Sequence, residues 1–233
     1  MNIVLLGDSL SKGILFDKKQ SKFILAKDSF FNLLEPRFNA NIINISKLGQ
    51  TLNTAITVLD KKICIEKPDV VAIELGGNDC DFDWNAVSAE PDKEHACKTP
   101  FIMFENGVRN LIKNLKKKSI TPVLINLPPI DAERYFRYFC NGDENMEKNV
   151  LSFLGNTSKI YWWHERYSSV LGLIAEETGT RFIDIRSAFM RKEDYRAFLC
   201  EDGIHPNTKG HKLIAEKIEE YLMRHYSSLL MAR

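Results

Sequence analysis

A serine, an aspartate and a histidine, the residue types that acyl transfer through a serine uses, occur at two places in this 233-residue chain. Ser9 follows an apolar run near the start, and Asp202 and His205 lie three residues apart before the last helical pattern. A serine hydroxyl becomes a nucleophile when a base takes its proton, and a neutral imidazole does so near neutral pH. A carboxylate fixes the tautomer of that imidazole. The residue types therefore favour Ser9 as nucleophile, His205 as base and Asp202 as the carboxylate that orients it.

Acyl transfer also needs hydrogen-bond donors for the negative oxygen that forms on the substrate. Gly49 follows the second apolar run, and Asn78 follows the third in Gly76-Gly77-Asn78-Asp79. The candidate donors are the backbone amides of Ser9 and Gly49 and the side-chain amide of Asn78. Each residue also has a structural alternative. Gly49 suits the entrance of a helix, and Ser9, taken alone, suits a turn in which it caps backbone amides.

An alternation of apolar runs and helical patterns must position these residues. It predicts a single domain over residues 1–233, built on a parallel sheet. Loops at the carboxyl ends of parallel strands emerge at one edge of the sheet, so residues far apart in sequence converge there. The predicted strands cover 3–6, 41–45, 70–75, 122–127 and 181–185, and the predicted helices 28–38, 51–66, 101–118, 161–178 and 207–226.

Three segments fall outside this alternation, and we expect them to determine the substrate. Residues 10–26 contain two short apolar runs that predict a hairpin near the site. Residues 80–100 are a polar insertion. Residues 130–158 are aromatic and basic, and two interpretations stay open for them: a lid over the crevice, or an additional helix packed at one edge.

Composition argues against several classes of protein. The formal net charge is +1, from 32 basic and 31 acidic residues, so no nucleic-acid partner is expected. No stretch approaches the roughly 18 apolar residues of a membrane span, and residues 1–6 lack the basic start of a signal peptide. Five dispersed cysteines without a C-x-x-C pair indicate reduced thiols and a cytoplasmic protein.

Other titratable residues receive structural interpretations. His95, Cys80 and Cys97 match no usual zinc spacing, so neither a metal nor a cofactor is expected. Asp184 ends the fifth strand and competes for the role of triad carboxylate, but no histidine shares its loop, which favours Asp202. We expect Asp8 and Asp79 to hold their loops, His164 to be packed or interfacial, and His211 and His225 to be packing or solvent residues.

Four sequence blocks, in this order along the chain, resemble those of the SGNH hydrolases, also called GDSL esterases or lipases. The blocks are Gly7-Asp8-Ser9-Leu10, Gly49, Gly76-Gly77-Asn78-Asp79 and Asp202-Gly203-Ile204-His205-Pro206. The resemblance implies a flavodoxin-like α/β/α sandwich of three layers with about five parallel strands in the order 2-1-3-4-5. It implies a catalytic triad of Ser9, Asp202 and His205 and an oxyanion hole formed by Ser9, Gly49 and Asn78.

The resulting functional hypothesis is a serine hydrolase that cleaves carboxylic esters through an acyl-enzyme on Ser9. The expected substrate is a small-molecule ester, such as a small acyl group on a sugar or metabolite. Two alternatives remain at this point. One is an acyltransferase that uses the same triad, and the other is a non-catalytic flavodoxin-like binding module. Oligomeric state and acyl chain length are not determined by the sequence.

Overall fold

The structure is a computed structural model, and it describes residues 1–226. Its strands within this range are β1 (Asn2–Gly7), β2 (Ile14–Asp17), β3 (Lys22–Leu25), β4 (Asn41–Asn44), β5 (Val70–Glu74), β6 (Thr121–Ile125) and β7 (Arg181–Ile183). Its helices there are α1 (Ser9–Lys12), α2 (Phe30–Leu34), α3 (Leu52–Glu66), α4 (Trp84–Ala89), α5 (Phe101–Lys117), α6 (Ala132–Cys140), α7 (Glu144–Leu154), α8 (Ser158–Thr178), α9 (Arg186–Met190) and α10 (Thr208–His225). Short 3₁₀ turns cover Glu35–Arg37 and Tyr195–Phe198.

Five of these strands form the parallel sheet, in the order β4-β1-β5-β6-β7 across the described residues. The labels differ from the expected 2-1-3-4-5 because the hairpin of β2 and β3 adds two strands to the count. The five parallel strands occupy the expected relative positions. The predicted hairpin is confirmed, with antiparallel pairing from Ile14–Leu25 to Asp17–Lys22.

Side chains alternate between the two faces of the sheet, and each face is covered by its own helices. On β1, Val4 and Leu6 pack with α3, α5 and α8, whereas Leu5 packs with α2, α9 and α10. This alternation follows from the period of two along a strand. The result is the predicted three-layer α/β/α sandwich, with an apolar core on each side of the sheet.

The two long insertions form a third apolar cluster instead of loops. Phe82 and Trp84 from residues 80–100 pack against Phe136, Val150 and Leu154 from residues 130–158. Residues 80–100 therefore contain α4, and residues 130–158 contain α6 and α7. Tyr135 and Tyr138 of α6 also line the cavity that borders Ser9, so this segment provides both packed helices and part of a cavity wall.

Strands β6 and β7 each end two residues earlier than predicted, because side chains replace the backbone ladder there. The Asn126 side chain donates to Asp184 Oδ1 at 2.7 Å and accepts from the Ile185 amide at 2.8 Å. The predicted helix over 28–38 also shortens, since Pro36 lies in a separate 3₁₀ turn after α2. Among residues 1–226, no helix is both long and apolar enough to cross a membrane.

Candidate active site

Ser9 is presented by a sharp turn between β1 and α1. The Asp8 side chain caps α1 by accepting a hydrogen bond from the Leu10 amide at 2.9 Å. A Cβ atom on Gly7 would lie 2.5 Å from the Cβ and Oγ atoms of Ser11, so only glycine fits this turn. Ser9 is buried in the cavity wall at the carboxyl end of the sheet.

The structure brings Ser9, His205 and Asp202 into one chain of hydrogen bonds. Ser9 Oγ lies 2.8 Å from His205 Nε2, and His205 Nδ1 lies 2.5 Å from Asp202 Oδ2. Because the carboxylate can only accept, Nδ1 carries the ring proton and Nε2 is left free to accept the hydroxyl proton of Ser9. Such an arrangement is able to convert a serine hydroxyl into a nucleophile.

The loop that carries Asp202 and His205 is held rigidly. The second carboxylate oxygen of Asp202 accepts from the amides of Ile204 at 3.2 Å and His205 at 3.1 Å. Gly203 has φ +78°, and a Cβ there would lie 2.5 Å from the Asp131 carbonyl oxygen. Close contact with the start of α6 therefore restricts the loop from outside. The two hydrogen bonds from backbone amides hold the carboxylate from within the loop.

The three candidate oxyanion donors border the same cavity. Asn78 Nδ2 donates to Asp8 Oδ2 at 2.9 Å, which leaves the second hydrogen of this amide available to a ligand. Gly49 adopts φ +73°, and a Cβ on it would meet no atom within 4 Å. Glycine is therefore favoured at position 49 by its positive φ angle, and not because a larger side chain would clash with a neighbour.

The cavity beside Ser9 has a volume of about 320 Å³ and mostly apolar, aromatic walls. The hairpin and α6 close one side of it. Phe23 packs edge-on against the His205 ring, with centroids 5.2 Å apart, and also contacts Tyr138. These contacts shield the imidazole from water. The aromatic wall includes Phe23, Phe82, Trp84, Tyr135, Tyr138 and Trp163.

Glu74, which the sequence analysis did not single out, is a buried carboxyl in the cavity wall. It accepts from Ser11 Oγ at 2.9 Å. Burial, and then the neighbouring Asp8, raises the pKa of Glu74 well above its ordinary value. Burial likewise raises the pKa of Asp8. A carboxylate within the apolar run over residues 70–75 was the available sequence signal.

Asp79 anchors a helix instead of facing substrate, as predicted. Its two carboxyl oxygens accept from the Leu52 amide at the start of α3, at 3.0 and 3.1 Å. Burial raises the pKa of Asp79 from 3.8 to about 6. Asp8 also has a structural role, since it caps α1 and accepts from Asn78.

The remaining sequence candidates lie apart from the triad. Asp184 accepts from Asn126 and from the Ser187 amide, and it does not contact His205. Cys97 Sγ lies 3.0 Å from Tyr167 Oη, and the described residues contain no group of His, Cys, Asp or Glu able to hold a metal. His211 is a buried packing residue, stacked on Phe30.

A sequence profile described as GDSL-like Lipase/Acylhydrolase matches residues 3–218. The chain belongs to this family. The acetylxylan esterase of Geobacillus stearothermophilus is 26% identical over 183 residues, which cover 77% of this chain and 71% of that protein. The GDSL esterase/lipase CPRD49 of Arabidopsis thaliana is 21% identical over 184 residues, covering 77% of this chain and 65% of that protein.

Solved structures share the fold. A lipase/acylhydrolase from Enterococcus faecalis superposes with a TM-score of 0.65 at 20% identity, covering 100% of this chain and 98% of that one. An acetylxylan esterase from Geobacillus stearothermophilus gives a TM-score of 0.64 at 20% identity, with 94% and 92% covered. The predicted resemblance to GDSL esterases is confirmed, and the protein is an ester-hydrolysing enzyme of this family.

Asp79→Asn is expected to change how the free energy of unfolding depends on pH. Because the pKa of Asp79 is higher in the folded chain, the folded state binds the proton more tightly. The resulting stabilisation is present at low pH and is lost as pH rises from about 4 to about 6. Relative to Asp79→Asn, the wild type should lose up to about 3 kcal/mol across this range.

Urea unfolding at pH 4, 5, 6 and 7 measures this difference. The exposed residue Asp92 supplies the control, since Asp92→Asn should leave the pH profile as in the wild type. A constant difference between wild type and Asp79→Asn at all four pH values would contradict the assigned role of the Asp79 proton.

Proposed function

We propose that this enzyme hydrolyses small acyl esters on carbohydrates, with Ser9 as nucleophile, His205 as base and Asp202 as the orienting carboxylate. One observation carries the proposal. The Ser9–His205–Asp202 hydrogen-bond chain lies in the wall of a cavity whose volume is about 320 Å³. Sites of this size hold small organic molecules and fix them by a few polar groups.

The first half of the reaction forms an acyl-enzyme. Nε2 of His205 takes the hydroxyl proton of Ser9, and Oγ attacks the carbonyl carbon of the ester. The carbonyl oxygen becomes negative in the tetrahedral intermediate. When this intermediate collapses, the bond to the alcohol breaks, and the alcohol leaves with the proton from His205. Asp202 stabilises the imidazolium between these two steps and stays ionised throughout.

The second half of the reaction releases the acid. Water enters, Nε2 of His205 takes one of its protons, and the oxygen attacks the acyl carbon. The proton then returns to Ser9 Oγ as the acyl–oxygen bond breaks, which regenerates the hydroxyl. Hydrolysis thus needs water and no further co-reactant.

We propose that three hydrogen-bond donors stabilise the negative oxygen: the backbone amides of Ser9 and Gly49 and the side-chain amide of Asn78. Asn78 is held by its hydrogen bond to Asp8, which fixes the direction of the free amide hydrogen. A donor fixed before the reaction requires no reorganisation as charge develops, and this is the source of its catalytic effect.

The substrate class is supported by the similarity to acetylxylan esterase and by the shape of the site. An acetyl group is small enough to fit beside Ser9, and the aromatic walls offer faces for the apolar side of a sugar ring.

All five cysteines are free, which supports a reducing, cytoplasmic location. We further propose that the chain acts as one catalytic domain on small esters.

Ser9→Ala should reduce kcat for p-nitrophenyl acetate by roughly 10⁶-fold, the order of loss seen when a triad serine is removed. The variant should bind and fold normally, because alanine fills most of the serine volume. Steady-state hydrolysis and thermal unfolding measure the two properties. Ser152→Ala, at an exposed site on α7, is the matched control and should retain full activity. Activity of Ser9→Ala near the wild-type level would refute the nucleophile assignment.

Asn78→Ala should lower kcat by about 10²- to 10³-fold while KM changes little, because the donor acts mainly on the transition state. The same assay with varied substrate concentration separates the two constants. Asn53→Ala, at an exposed asparagine of α3, is the control and should leave both unchanged. A rise in KM with unchanged kcat would assign Asn78 to ground-state binding instead.

A further inference from the structure

His164 is a buried histidine in the wall of the cavity beside Ser9. Only 6% of its surface is exposed, yet its Nδ1 has no hydrogen-bond partner within residues 1–226. Buried polar groups in proteins are nearly always paired, and an unpaired one costs about 1–3 kcal/mol. The triad does not use His164, so the lone imidazole needs another explanation.

The surroundings of His164 hold it neutral and in place. Burial, and then the charge of Arg186, lowers its pKa to about 3. Arg186 donates to the carbonyl of Pro128 at 3.1 Å and to Tyr161 Oη at 2.6 Å, and it pairs with Glu165. These bonds tie α8 to the loop after β6. They engage both terminal nitrogens of the guanidinium, and within residues 1–226 no hydrogen bond joins Arg186 to His164 Nδ1.

A neutral imidazole has one donor and one acceptor nitrogen, which is the same pairing capacity as a hydroxyl group. Ile160 and Trp163, which are close to His164 along α8, also line the cavity and are largely apolar. Leu127 and Pro128, whose carbonyls accept from Arg186, line it as well. A plain hydrocarbon ring placed there would leave the imidazole unpaired, whereas a ring that carries a hydroxyl would pair with it. A site with a buried polar group discriminates strongly against a ligand that cannot hydrogen-bond to that group. This discrimination is stronger than that against a ligand of slightly different size.

We propose that His164 is a specificity-determining residue that binds a hydroxyl of the alcohol part of the substrate. The imidazole selects esters of polyhydroxylated alcohols over esters of hydrocarbon alcohols. This inference rests on the proposed function, because it presumes that an ester occupies the cavity beside Ser9. It assigns to His164 a role in choosing the substrate and no role in the chemical steps.

The test compares two acetyl esters whose alcohols are six-membered rings: a mono-O-acetylated methyl xyloside, which has free hydroxyls, and cyclohexyl acetate, which has none. The measured quantity is the ratio of kcat/KM for the xyloside to kcat/KM for cyclohexyl acetate. We expect His164→Leu to lower this ratio at least about tenfold, through loss on the xyloside with cyclohexyl acetate hydrolysed as well as before or better.

Two further variants separate binding from packing. His164→Gln keeps a donor and an acceptor and should restore much of the ratio. His211 is the matched control, because it too is a buried histidine with an unpartnered ring nitrogen, but it lies outside the cavity wall. His211→Leu is expected to cost stability through lost packing and to leave the ratio unchanged.

Failure of this inference differs from failure of the proposed function. If His164→Leu hydrolyses both esters with the wild-type ratio, the hydroxyl-binding role is overturned and the esterase assignment stands. If the wild type hydrolyses neither ester faster than Ser9→Ala does, the proposed function fails, and the role of His164 fails with it.

Discussion

The hydrogen bond between the buried Asp202 carboxylate and His205 Nδ1 is the interaction on which the rest of the site depends. It is formed within one short loop, which closes on itself through the Cys200 amide and the His205 carbonyl at 2.7 Å. The imidazole and the carboxylate are therefore positioned together by this one loop. Ser9 comes from a distant part of the chain. Only the parallel sheet, which brings the ends of β1 and the loop before α10 to one edge, places Ser9 within 2.8 Å of the imidazole.

Buried carboxyl groups near Ser9 indicate that the site is maintained at a cost in stability. Asp8, Glu74 and Asp79 all have raised pKa values because they are removed from water. Asp8 nevertheless holds Asn78, and Asp79 holds the start of α3. Groups with perturbed pKa values concentrate at functional sites because such sites place charged and polar groups in unusual surroundings. Here the carboxyls act on the backbone and on other side chains, and the geometry gives none of them direct contact with Ser9 Oγ.

Features that depend on local sequence could be predicted, and features that depend on distant contacts could not. The apolar runs and helical patterns are local, and the parallel sheet and its strand positions were predicted from them. The sequence also named Ser9, Asp202 and His205 as candidates, and the folded chain brings these three side chains into hydrogen-bonding distance. Glu74 was missed because its importance comes from Ser11 and Asp8, more than 60 residues away. The contact of Phe23 with His205 joins residues that lie still farther apart in the sequence. His164 looked like one of several packed aromatic residues, since only the folded chain reveals that its nitrogen lacks a partner.

The central claim is that Ser9 is the one hydroxyl that the His205–Asp202 pair activates. Treating the protein with a fluorophosphonate, followed by intact-mass measurement and peptide mapping, tests it most directly, because the reagent captures an activated serine as a covalent adduct. The account predicts one adduct per chain, located on Ser9, with ester hydrolysis lost in proportion to labelling. An adduct on another serine, or continued hydrolysis after complete labelling of Ser9, would contradict it.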